Sequence, residues 1–195
     1  MFTLPLTLDI KPVHLSDEQF YQLCQANPNV PMERTPTGEL ILMSPVGGNS
    51  GNKELELGGE LYLWNRETQL GKVFSSSTIF RLPNGGDRAP DAAWVELSRW
   101  QALTPEQRHK FPPIAPDFVL ELRSINDSLQ TLQAKMQEYL DSGVRLGWLF
   151  NPQDQQVEIY RDGQSKEVQN LPTELSGEQV LPGFTLFVEP FESEL

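Results

Sequence analysis

Apolar positions recur along the chain in two rhythms, one near 3.6 residues and one of two, and the switches between them lay out the elements. "HLSDEQFYQLCQAN" opens with a helix signature: Ser16 as N-cap, Gln19 three residues on, then an apolar face of Phe20, Leu23 and Cys24. "ELILMSP" is a short strand that stops at a proline. In "SGNKELELGGELYLWNRETQLG" the residues Leu57, Leu61 and Trp64 share one stripe. That spacing predicts a second helix ended by Gly71, with Gly58 and Gly59 as its weak point. A run of strands follows: "KVFSSSTIFRL", the turn "NGG", then "APDAAWV". Residues 97–116, with prolines at 105, 112, 113 and 116, predict a loop with room for one helical turn.

"PDFVLELRS", residues 116–124, sets Phe118, Leu120 and Leu122 against Asp117, Val119, Glu121 and Arg123 on alternate faces of a strand. The helix after it, "NDSLQTLQAKMQEYLDSG", is the clearest in the chain: Leu129, Leu132, Met136 and Leu140 repeat at helical spacing and Gly143 stops it. "LGWLF" is a fully buried strand, "NPQDQ" a turn and "QVEIYR" a further strand. The tail is loop-rich, with short apolar pieces such as "FTLFV". The order α, β, α, β-β-β, α, β-β predicts an α/β fold in which a central mixed sheet is flanked by helices.

A chain of 195 residues fits one domain and buries a sizeable core without staples. The single cysteine, Cys24, has no internal partner, which suits a reducing, cytoplasmic compartment. "MFTLPLTLDIKP" lacks a basic leader and is broken by prolines, so no signal peptide is expected. No apolar run approaches the roughly 18 residues of a membrane helix, so no membrane partner is expected. The net charge of −12 lowers the expectation of nucleic-acid binding, because phosphate contacts depend on Lys and Arg. The charge is uneven, however. Nine acids and two bases from residue 152 onward contribute −7, and the first 151 residues only −5, which leaves room for a local basic face.

The charged face of 116–124 wants an explanation, since central strands rarely carry unpaired charge. Arg123, about 7 Å along the same face, would neutralise Glu121 in a structural ion pair. A second carboxylate opens another reading. Asp117 lies about 13 Å away along the strand, too far to share a cation. Asp91 in "RAPDAAWV" belongs to another strand, and opposed residues on neighbouring strands have Cβ atoms about 5 Å apart. Two anions held that close repel unless a proton or a cation relieves them. Oxygen ligands with room for water suit Mg²⁺, which in such a site polarises a phosphodiester and activates water.

Lys135 flanks the apolar stripe of its helix, one turn before Tyr139, and its long side chain either snorkels or reaches back over the sheet edge. Glu56 and Glu60 hold a similar flank on the earlier helix, the usual place of a solvated glutamate. The segment "SRWQALTPEQRHKFPP" interleaves Arg99, Arg108, His109 and Lys110 with Trp100 and Phe111. That pattern fits a grip on a nucleic-acid strand and, equally, a lid packed by its aromatics. With His14 and His109 the only histidines, a zinc site is not expected, and neither a phosphate-cradling glycine loop nor a nucleophilic triad is present.

Taken together, "RAPDAAWV", "PDFVLELRS", "LQAKMQEYLDSG" and "VRLGWLFNP" resemble the Uma-two family of restriction-endonuclease-like proteins, within the wider PD-(D/E)XK nuclease superfamily. The similarity runs from about "PMERTPTGELILMSP" to "VLPGF". It implies a restriction-endonuclease-like fold over residues 1–195, with an N-terminal helix and strands in 10–45, a nuclease-like core in 50–162 and an acidic extension in 163–195. It further implies Asp91 and Glu121 as Mg²⁺ ligands, with Mn²⁺ as a substitute, and Glu56 as the first-helix glutamate that completes the metal shell. The superfamily lysine two residues after the glutamate is replaced here by Arg123, which cannot act as a base but can steady transition-state charge. In the family the lysine stands on the following helix, a position that Lys135 matches.

The expected activity is therefore Mg²⁺-dependent DNA cleavage, with Lys135 orienting the attacking water, Arg123 steadying the phosphate, and Arg99, Arg108 and Lys110 gripping DNA. A homodimer is expected only by analogy with nucleases that pair to cut both strands. Two other readings are a non-catalytic module that binds DNA or a protein partner, and a phosphodiesterase acting on RNA or small nucleotides. Fold by itself does not choose among them.

Overall fold

A computed structural model describes residues 5–191. Strand β1 (Leu6–Asp9) leads into α1 (Asp17–Ala26). The expected capping box closes the start of this helix: Ser16 Oγ accepts from the Gln19 N–H, and Gln19 Oε1 accepts from the Ser16 N–H. β2 (Met32–Arg34) and β3 (Glu39–Leu42) form a hairpin, and the long helix α2 (Gly48–Thr68) follows. It runs through Gly58 and Gly59 because packing outweighs propensity: Leu57 and Leu61 are buried, and Gly58 faces Ala92. The end of α2 differs from expectation. Gln69, with φ 56°, closes the helix, and Gly71 instead begins β4 (Gly71–Ser75). A Cβ on Gly71 would lie 2.3 Å from the Val95 carbonyl oxygen, so only glycine fits.

The stretch expected to be one strand, "KVFSSSTIFRL", breaks at a turn, and β5 (Phe80–Arg81) joins a different sheet from β4. β6 (Asp87–Arg88) pairs with β5 across the "NGG" turn, and β7 (Ala92–Glu96) comes next. Residues 97–116 hold two short helices, α3 (Leu97–Ala102) and α4 (Pro105–His109), more than the single turn expected. A second capping box, Thr104 with Gln107, nucleates α4. Then come β8 (Phe118–Leu122), α5 (Leu129–Asp141), β9 (Leu146–Asn151) and β10 (Gln156–Arg161). β11 (Glu167–Asn170), β12 (Thr173–Ser176) and β13 (Thr185–Val188) complete the described chain.

The central sheet is mixed, in the order β11-β10-β9-β8-β7-β4, and helices flank it, as the element order predicts. Only β8 and β9 run parallel, because α5 carries the chain back between them. The N-terminal strands share an antiparallel sheet, β1-β3-β2-β6-β5, and β12 pairs with β13. Alternation on β8 sorts the two cores. Phe118, Leu120 and Leu122 pack with Leu57 and Leu61 of α2 and with Phe184 and Leu186 of the tail. Val119 packs with Met136 and Tyr139 of α5. The acidic tail is thus part of the core, with Phe184 stacked on Trp148 at 5.9 Å. Among the described residues no helix is long and apolar enough to cross a membrane.

Candidate active site

β7 and β8 are antiparallel with Ala92 opposite Leu120, so the next step of the ladder brings Asp91 to Glu121 on the face covered by α5. Asp91 stands just beyond the end of β7, and its Oδ2 accepts from the Leu122 N–H at 2.6 Å. Glu121 is buried in β8.

α5 lies over this strand end and lowers two side chains, one helical turn apart, onto Glu121. The Tyr139 hydroxyl donates to Glu121 Oε1 at 2.9 Å, and Lys135 Nζ lies 2.8 Å from the same oxygen. Lys135 Nζ also meets Glu33 Oε1 at 2.9 Å and the Ala89 carbonyl at 3.4 Å. An ammonium has three protons to donate, and three acceptors surround this one. Glu33, in β2, is the second hub. Its Oε1 accepts from the Ala89 N–H at 2.9 Å, and its Oε2 pairs with Arg88 Nη1 at 2.9 Å. Arg88 in turn binds Glu138 of α5. One buried carboxylate therefore ties together β2, β6, α5 and the turn that delivers Asp91.

Burial alone would discharge most of these groups. Burial and, next, the charge of Glu121 hold the Asp91 carboxyl well above its usual range, against the pull of Lys135 and the Leu122 N–H. Glu121 is also raised, chiefly by burial, with Lys135 opposing. Burial opposes ionisation of Glu33 too, but Lys135 and Arg88 outweigh it and hold that carboxyl below its usual range. For Lys135 burial is overcome by Glu121 and Glu33, so its affinity for the proton rises and it stays charged. It acts as a fixed cation, not as a base.

A raised carboxyl favours the folded state at pH below its ordinary value and loses that advantage as pH rises through the raised one. Asp91→Asn is therefore expected to melt higher than wild type at neutral pH without divalent ions. The gap should close below about pH 4, where the aspartate is protonated in both states. Thermal melts across pH check this.

A cleft of about 1410 Å³ opens beside the pair. Asp91, Glu121 and Lys135 line it, as do Glu33, Glu54 and Asp127. The other residues that the sequence nominates lie elsewhere. Glu56 is on the exposed side of α2, paired with Lys53 at 2.7 Å; Glu54, two residues earlier, lines the cleft instead. Arg123, one residue beyond β8, does not pair with Glu121 but with Asp154, at 3.7 Å. Its Nη1 donates to Asn151 Oδ1 at 3.0 Å and its Nε to the Asp127 carbonyl at 3.1 Å, so it braces the loop after β8. Arg99 pairs with the buried Asp117 at 2.8 Å and donates to the Ala115 carbonyl. Arg108 donates to the Leu103 carbonyl, and Lys110 pairs with Glu18 and Glu106. Aromatic contacts pack that segment down, Trp100 on Phe74 and Phe111 on Phe20 and Tyr21. Asp117 marks the opposite end of β8 from Glu121, about 13 Å away, so Arg99 lies far from the cleft.

The donors present fit a divalent ion of the Mg²⁺ type. Asp91 keeps Oδ1, and Glu121 keeps Oε2, clear of the hydrogen bonds above. Their mutual repulsion is the charge that a cation relieves. Among the described residues no three His, Cys, Asp or Glu side chains converge as a closed cage. Mg²⁺ is commonly held by one or two carboxylates with water and substrate oxygens completing its shell. Zinc, which favours nitrogen and sulfur ligands, is not suited.

Sequence reading misses Glu33, Arg88, Glu138 and Tyr139 as parts of the site. Glu33 and Arg88 sit in strands of three and two residues, too short to show a period. Glu54 carries a usable signal, three residues before Leu57 and seven before Leu61 on the inward stripe.

The sequence model of one family, Uma2, described as "Putative restriction endonuclease", matches residues 17–189. No curated protein matches the chain. Among solved structures, a crystal structure from Anabaena variabilis ATCC 29413 described as "a putative nuclease belonging to DUF820" superposes with TM-score 0.68. It shares 20% sequence identity, and the match covers 80% of this chain and 86% of that one. A likeness at that identity speaks for the fold.

Proposed function

From the premise that the chain belongs to the Uma2 family, we propose that it is a nuclease that hydrolyses phosphodiester bonds of DNA with a divalent cation, Mg²⁺ or Mn²⁺. The observation that carries this reading is the convergence of Asp91, Glu121 and Lys135 at the wall of one open cleft. Asp91 and Glu121 would hold the ion, which when bound polarises the phosphodiester and lowers the pKa of an attacking water. Tyr139 and Lys135 fix the rotamer of Glu121 through its Oε1 and leave Oε2 clear of both. Lys135, held charged, places a positive charge where negative charge develops on the phosphate. Arg123 serves by bracing the 124–127 loop and not by touching the reacting group.

The test is incubation of the protein with supercoiled plasmid, circular single-stranded DNA and RNA, each with Mg²⁺, Mn²⁺ or a chelator. Cleavage of DNA that the chelator abolishes supports the proposal. Cleavage of RNA alone transfers the activity to a ribonuclease, and no cleavage of any substrate removes it.

A further inference from the structure

We infer that the cleft takes single-stranded nucleic acid over a short span, engaging about one or two of its phosphates, and rejects a duplex gripped along its backbone. The inference rests on the nuclease reading and specifies its substrate. It starts from where the cations are. All 15 Lys and Arg residues lie within the described part of the chain. Twelve of them are held in ion pairs. Only Arg88 and Lys135 line the cleft; both are buried, and both are engaged by Glu33. Among the described residues seven carboxylates line the same walls, Glu39, Glu54 and Asp127 among them.

The three bases without an ion pair are remote. Arg66 lies twelve residues beyond Glu54 on α2, about 18 Å along the helix. Lys72 pairs in register with Val95, at the far end of β7 from Asp91 and about 13 Å away. Arg108 is on α4, tied to the Leu103 carbonyl.

A duplex-binding surface neutralises many phosphates with free Lys and Arg, and its affinity falls steeply with salt. Here the phosphates of a second strand would meet Glu54 and Asp127, neither of them in an ion pair, with no free cation to offset them. A single strand is flexible enough to offer one phosphodiester to Asp91, Glu121 and Lys135 and turn its other phosphates to water. The walls supply no aromatic ring for stacking among the described lining, but they do supply aliphatic faces in Ile41, Met43, Val46 and Ile125. Val46 and Ile125 are among the exposed large apolar residues, free to cover a base. At about 1410 Å³ the cleft exceeds the roughly 300–1,000 Å³ of common small-molecule pockets, so it has room for more than a mononucleotide.

The test is fluorescence anisotropy of a labelled oligonucleotide, single-stranded or annealed to its complement, with wild-type protein and Ca²⁺ in place of Mg²⁺ to slow turnover. KCl is varied between about 50 and 200 mM. The expected result is single-strand binding at least about tenfold tighter than duplex binding, with a log–log salt slope of about 1 to 2. Equal or tighter duplex binding, or a slope of about 5 or more, overturns the inference while leaving the nuclease reading in place. Absence of both binding and cleavage for either form overturns the two together.

Discussion

Glu121→Gln is expected to reduce the proposed DNA cleavage by at least about three orders of magnitude, about 4 kcal/mol of transition-state stabilisation, with the fold intact. The amide keeps the size of the carboxylate, and its oxygen still accepts from the Tyr139 hydroxyl, so the end of β8 need not move. What disappears is the carboxylate charge with which Glu121 would hold the proposed divalent ion. Lys135 retains Glu33 and the Ala89 carbonyl as partners and stays in place. Initial rates at saturating Mg²⁺, with circular dichroism to verify folding, provide the measurement. A folded variant that cuts within tenfold of wild type would move the reactive centre away from this pair.

Lys135→Met is expected to destabilise the protein by about 3–5 kcal/mol, the usual cost of removing one partner from a buried ionic cluster. The methionine fills much the same volume, so packing loss is small. The cost is electrostatic: Glu33 and Glu121, each within 3 Å of the ammonium in the wild type, lose it together, and while Glu33 keeps Arg88, Glu121 keeps only the neutral Tyr139 hydroxyl. Burial already pushes the Glu121 carboxyl upward, and losing its main counter-charge pushes it further. Urea denaturation should show a lower midpoint with an unchanged slope. The double variant Glu121→Gln, Lys135→Met should recover part of the loss, since one of the stranded charges is gone. A single variant within about 1 kcal/mol of wild type would mean that water screens the cluster as it does a surface ion pair.

The sequence reading and the structure part company for reasons visible in single residues. Glu121 is legible because alternation on a strand is a local steric property, and the strand is long enough to display it. Arg123 lies beside Asn151 in the register that β8 and β9 set, and its guanidinium gives its donors to Asn151 and the Asp127 carbonyl, not to Glu121. Glu56 and Glu54 differ by two residues, but on a helix that is more than half a turn, and only Glu54 shares the inward stripe of Leu57 and Leu61. The basic and aromatic segment 98–113 could be read either as a grip or as a lid; its rings are packed and its bases occupied, at the end of the sheet away from the cleft.

What the chain determined by itself is what neighbours along it can enforce: the capping boxes, the helical stripes, the two-residue rhythm of the central strand, and the ordered motifs carrying Asp91, Glu121 and Lys135. The folded molecule decided the rest. Glu33 meets Arg88 across 55 residues of chain, and the N-terminal sheet is completed by strands of two residues that no periodicity could announce. Such contacts depend on how sheets and a helix come together in space, because an ion pair needs two charges within a few ångströms and is indifferent to their separation in sequence.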